Sequence, residues 1–184
     1  MFIFIKGGKM EFIIEKRKSG LVEVMERGHC IEKFTVIKYK NMERALAKKP
    51  YDILESVCES GINCLLNAGI TLLLNLLIKV DTTHYFDAPV VGVGSTATAA
   101  DPTQTNLLDG SADWHAMEAT FPSVSAQTVT FQAQFGDGHA EFHWQECAAK
   151  QASGATTVFN RVVSDKGTKA AGEVWSAKLQ ITFA

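Results

Sequence analysis

His139, Glu141 and His143 recur at alternate positions in the stretch GHAEFHWQE. On an extended strand this spacing projects all three from one face, and two imidazoles with a carboxylate are a zinc-binding set. The competing reading is an ordinary solvated strand face, which the absence of a second ligand cluster favours. Asp113 and His115 are read the same way, as surface polar residues. Gly92-Val93-Gly94-Ser95-Thr96-Ala97 matches G-x-G-x-x-A, with Asp113 about twenty residues on, as a dinucleotide fingerprint requires. That motif needs a helix whose N-terminus meets the pyrophosphate. Thr-Ala-Thr-Ala-Ala-Asp-Pro starts a helix poorly, and no βαβ pattern follows.

Glu118, Glu141 and Glu146 are the carboxylates that sugar cleavage would need as an acid–base pair. Nothing in their spacing brings two of them together. Trp114, Trp144 and Trp175 suit either a sugar-binding platform or a core, and their alternating strand positions favour the core. No G-x-S-x-G elbow is present. Cys30, Cys58, Cys64 and Cys147 show no C-x-x-C pair, which argues for buried or free thiols in a reducing cytosol. No catalytic, cofactor-binding or metal residue is assigned, and no enzymatic activity is expected.

The elements that position these residues centre on 127–146, QTVTFQAQFGDGHAEFHWQE. Val129, Phe131, Ala133 and Phe135 alternate with Thr128, Thr130, Gln132 and Gln134. Beyond Gly136-Asp137-Gly138, Ala140, Phe142 and Trp144 alternate with Glu141, His143 and Gln145. Period two marks strands with one dry face, and the glycine-rich turn predicts a β-hairpin. Trp175, Ala177, Leu179, Ile181 and Phe183 alternate in a final strand. Further strands are expected at 51–58, 89–94, 114–121 and 157–163, with a long loop at 95–106 and a polar turn region at 164–172. Short strands separated by turn signals indicate a β-sandwich or barrel.

Asn41 is placed to cap a short helix over 42–49, which Pro50 ends. Ser60 is placed to cap one long buried helix, about residues 61–78. Its Asn63, Asn67, Thr71 and Asn75 form a polar stripe in a run of Leu and Ile. About 17 residues bearing that stripe make a poor membrane span, so no membrane role is expected. Residues 1–50 read as a β-rich N-terminal arm, with runs at 2–5, 10–14, 21–25 and 31–39. Residues 51–184 read as the body, expected to fold without residues 1–40.

Charge is divided unevenly. Residues 1–80 hold 13 Lys/Arg against 9 Asp/Glu, a net +4, and residues 81–184 hold 5 against 11, a net −6. The basic half is read chiefly as a solvated face, and nucleic acid is not an expected partner. In MFIFIKGGK the apolar residues precede the lysines, the reverse of a secretory signal.

LLNAGI (65–70), FDAPVVGVGSTATAADPTQTNL (86–107), the stretch 116–146, FNRVVSDKGTKAAGEVW (159–175) and LQITF (179–183) together resemble a family of small structural proteins of tailed bacteriophages and prophages. The resemblance covers about residues 60–184 and carries no active-site residue. It implies a β-rich virion component, made in the host bacterial cytoplasm, that decorates the capsid exterior or belongs to a head or tail appendage. It implies as partners further copies of the chain and the major capsid or tail proteins of the same virion. The alternative expectation is a carbohydrate- or receptor-binding fibre module that contacts host-surface glycan.

Overall fold

The computed structural model describes the backbone of residues 2–6, 9–13, 27–28, 30–59, 64–77 and 88–183. The expected strand at 21–25 and the Ser60 cap lie outside the described residues. Strands β1 (Phe2–Lys6), β2 (Lys9–Ile13) and β3 (Arg27–Gly28) form one small antiparallel sheet. Next come β4 (Cys30–Tyr39), helix α1 (Met42–Leu46), β5 (Asp52–Glu59), β6 (Cys64–Leu65), helix α2 (Asn67–Leu77) and β7 (Val90–Gly94). The chain ends with β8 (Asp113–Ala116), β9 (Ser123–Ser125), β10 (Thr128–Phe135), β11 (His143–Lys150), β12 (Asn160–Thr168) and β13 (Val174–Phe183).

The larger part is mainly β. Two five-stranded antiparallel sheets run in the orders β5-β4-β13-β10-β9 and β6-β12-β11-β7-β8. Their facing sides share one apolar cluster in a sandwich-like arrangement. Phe34, Phe131, Phe135, Trp175 and Leu179 come from the first sheet, and Val91, Val93, Trp144, Cys147 and Val162 from the second. Trp144 packs edge-on against both Phe135 and Trp175, with ring centroids 5.0 Å apart in each pair. These T-shaped contacts add to the burial of the rings themselves.

The alternation in β10 and β13 is as expected, but the hairpin partner expected for β10 is not the one it takes. β10 pairs with β13 and β9, and β11 pairs with β12 and β7. Residues 127–146 therefore form no hairpin. The Gly136-Asp137-Gly138 segment carries the chain from one sheet to the other, so the two aromatic faces oppose each other across the core. β12 also runs through Thr168, taking in half of the expected turn region, and β8 ends at Ala116.

The long buried helix is likewise corrected. α2 has 11 residues, and its Leu73 and Leu74 are exposed. Residues 64–65, expected inside that helix, instead pair with Asn160 and Arg161 at the edge of the second sheet. The Leu66 N–H donates to the Phe159 carbonyl at 3.2 Å, holding the chain to the sheet up to the helix start. At Gly69 a Cβ would lie 2.1 Å from the Phe159 carbonyl oxygen, so a glycine is required for that approach. Asn41 does cap α1, its Oδ1 accepting the Arg44 N–H at 3.0 Å.

The boundary expected at residue 50 falls within the first sheet. β4 pairs with β13 along its full ten residues, and Phe34 and Val36 are wholly buried. Glu32, Phe34, Val36 and Lys38 all lie on its buried side. Removal of residues 1–40 would take a central strand and its core residues.

Glu32 is 2% exposed, and both its carboxylate oxygens lack a well-formed hydrogen bond, as does Asn160 Nδ2. Burial pushes the Glu32 carboxyl up to about 8, with the Asn160 amide pulling the other way. The native state thus keeps a proton that the unfolded chain releases above its ordinary value of 4.5. The stability from this group is complete below that value and is lost as pH rises towards 8, at up to about 1.4 kcal/mol per pH unit.

Glu32→Gln is expected to flatten that decline and to be more stable than the wild type at neutral pH, measured by denaturant midpoints across the interval. Identical pH profiles for the two proteins would exclude this account. Phe34→Ala is expected to cost roughly 3–5 kcal/mol with an unchanged denaturant slope. A loss under about 1 kcal/mol would place β4 outside the core.

Candidate functional site

β8 is the edge strand of the second sheet and pairs with β7. Val91 and Val93 face the core, and their register partners are His115 and Asp113. Strand alternation therefore turns Asp113 and His115 towards the space between the sheets, at its rim. His139 arrives there from the crossover between β10 and β11. Asp113 Oδ2 lies 3.3 Å from His139 Nδ1, and Asp113 Oδ1 lies 3.6 Å from His115 Nε2. One ligand-capable atom from each residue fits within a span of 4.8 Å.

The trio is held from several sides. Asp113 Oδ2 accepts the Ala140 N–H at 2.9 Å, which fixes the crossover to the carboxylate. The His115 ring packs 4.7 Å from Phe135 and 4.3 Å from His139, and hydrogen-bonds to the Gln134 backbone. Burial depresses the His115 imidazole below its ordinary value, while Asp113 pulls it upward and His139 pushes it further down. This keeps an uncharged imidazole beside a carboxylate at neutral pH.

The candidate His139, Glu141 and His143 set on one strand face is not assembled. β11 starts only at His143, so period two does not extend back to His139. His143 Nε2 instead pairs with Asp165 Oδ1 at 2.7 Å, and Glu141 Oε1 accepts the Gly138 N–H at 2.8 Å. The sequence signal for the observed trio is Asp-x-His on β8, and its third member comes from a turn 24 residues beyond His115.

The three glutamates are also separated. Glu118 accepts from Gln132 and Ser176, Glu141 is at the turn, and Glu146 is buried in an ion pair. Trp144 and Trp175 are core residues, with 0% and 1% exposure, so the tryptophans make no sugar platform. Gly92 and Gly94 serve packing. A Cβ at Gly92 would lie 2.5 Å from the Trp114 ring, and one at Gly94 would lie 2.5 Å from Glu146 Oε1. Cys147 is fully buried, and that burial raises its thiol well above the ordinary value, which makes it unreactive.

Two features lay outside the sequence reading. One is a cavity of about 440 Å³ lined by apolar residues including Leu73, Val129, Phe131, Phe159 and Phe183, with no charged side chain in its described wall. The other is the Glu146–Arg161 pair, in which both residues are 0% exposed. Arg161 Nε donates to Glu146 Oε2 at 2.6 Å. Its remaining nitrogens reach the Thr98 and Ala99 carbonyls and Gln104 Oε1 at 2.9–3.3 Å. Glu146 also accepts the Leu108 and Asp109 N–H groups. The long 95–112 connection is thereby fastened over the second sheet.

The chain matches no family model, no curated protein and no solved structure. Among the described residues no helix is long and apolar enough to cross a membrane.

Glu146→Ala is expected to cost roughly 3–5 kcal/mol, because it leaves a buried guanidinium without its carboxylate. It should also expose the 95–112 connection to limited proteolysis. Unchanged stability and unchanged cleavage would show that the pair does not hold this layer.

Proposed function

We propose that the chain is a structural component of a tailed-bacteriophage virion, on the particle exterior, that works by assembly through the free edge of β5. The observation that carries this reading is the chemistry of that edge. β5 stands at the end of its sheet, and no described strand pairs with its outer side. Its Ile53 and Val57 are 53% and 60% exposed. A long edge strand with unpaired N–H and C=O groups and apolar side chains is a template for another chain. Full burial of a Val or Ile is worth about 1.5–3 kcal/mol, and roughly half of that remains available at each position.

The salt bridge beside these residues, Lys33 Nζ to Glu55 Oε1 at 2.8 Å, is partly exposed and adds little by itself. It gives the edge a charged register mark that a partner strand would have to match. The β-rich composition of the two sheets and the sequence pattern over residues 60–184 support a virion protein. No comparable observation favours glycan binding, since two of the three tryptophans are internal.

Light scattering of the purified chain is expected to show self-association that Ile53→Lys with Val57→Lys removes, with unchanged circular dichroism. Mass spectrometry of purified particles is expected to find the chain at a fixed ratio to the major capsid protein. A wild-type monomer that is also missing from particles would reject the proposal.

A further inference from the structure

We infer that Asp113, His115 and His139 form a binding site for one divalent transition-metal ion, with zinc the best match. The inference rests on the rim geometry and is independent of the virion reading. Zinc binds imidazole nitrogen and carboxylate oxygen at about 2.0–2.2 Å, so neighbouring ligands of a tetrahedral ion lie about 3.4 Å apart. Asp113 Oδ2 lies 3.3 Å from His139 Nδ1 and its Oδ1 lies 3.6 Å from His115 Nε2, so each imidazole meets a different oxygen of the carboxylate. The whole trio spans no more than 4.8 Å, so closing on one ion takes a shift of about 1.4 Å at most. His139, whose side chain is 52% exposed, can supply that by rotation.

Donor type points the same way. Two imidazoles and one carboxylate suit zinc and its first-row neighbours, whereas magnesium and calcium require oxygen donors. The ligands are already oriented, which is the usual support of a metal site: the Ala140 N–H holds Asp113, and the His115 ring donates a hydrogen bond to the Gln134 backbone. Lys169, whose charge acts on His115, is engaged by the Gly136 carbonyl at 2.8 Å and faces Glu141, Asp137, Glu173 and Asp113. Three protein ligands leave a fourth position for water. Bound there, the ion would join the edge strand β8 to the crossover that links the sheets.

Zinc is titrated into the metal-stripped full-length chain and followed by equilibrium dialysis and thermal unfolding, with cobalt as the spectroscopic probe. The expected result is one ion per chain. Tm should rise by roughly 5–10 °C at about a hundredfold excess of free zinc over Kd. Cobalt should give the visible absorption of a tetrahedral nitrogen–oxygen site. His139→Ala, a change at a half-exposed position, should weaken binding by at least about tenfold and remove the cobalt spectrum, and Asp113→Asn should do the same. His143→Ala, at a partly exposed histidine near the crossover that pairs with Asp165, should bind like the wild type. Absence of binding, wild-type binding by His139→Ala, or an equal loss in His143→Ala would each overturn the inference. Circular dichroism establishes that each variant is folded, and if Asp113→Asn is not, the comparison of His139→Ala with His143→Ala decides alone.

Discussion

The buried Glu146–Arg161 pair depends on a change of phase in β11. Ala140, Phe142 and Trp144 point towards the core, and strict alternation would send Glu146 after them. An irregularity in the pairing with β12 between Trp144 and Glu146 breaks that alternation. Beyond it Cys147 and Ala149 join the core, while Ala148 packs with Leu66, Leu107 and Val158 on the other side. Glu146 is thereby turned outward, under the long connection, where Arg161 and two backbone N–H groups satisfy it. Without that bulge a carboxylate would stand among Phe and Trp rings at a cost of several kcal/mol.

From this change of phase follows the layer over the second sheet. Trp114, on the outward side of β8, covers Gly92, and Lys150 Nζ lies 4.1 Å from the centre of its ring. Gly94 leaves room for Glu146 and Asp109. Asp109 in turn accepts from Ser95, at both its N–H and its hydroxyl, and these bonds hold its carboxyl below the usual range. A polar, Pro-containing stretch with no regular structure is thus ordered by charge and backbone hydrogen bonds, with a small apolar cluster beneath it.

What could be read from the residues was local. The period of β10 and β13 was legible because each has one wet and one dry face, and Trp175, Leu179 and Ile181 are indeed core. The partner of β10 was not legible. Gly136-Asp137-Gly138 is compatible with a tight hairpin and with a crossing between sheets, and alternation says nothing about which strand lies alongside. The run from Ile62 to Ile78 is ambiguous for a related reason: a short strand and a helix meet inside one apolar stretch, and periodicity alone does not divide them. The metal-ligand trio was hidden by topology, since its members become neighbours only when the edge of one sheet meets the turn leaving the other.

That turn is also where the two sheets are tied together. Lys169, from the second crossing between β12 and β13, is 1% exposed and donates to the Gly136 carbonyl, and Asp137 accepts the Gly172 N–H at 2.6 Å. Trp144 Nε1 donates to the Ala140 carbonyl at 2.9 Å, so the core aromatic is bonded to the same turn that Asp113 holds from the rim. Ala140 itself has a φ of +50°, a left-handed conformation unusual for alanine. The two hydrogen bonds, one to its carbonyl and one from its N–H, offset that cost. A turn constrained from the core, from the rim and from the adjacent crossing has little freedom left. That restraint keeps His139 within reach of Asp113 although its ring is half in solvent.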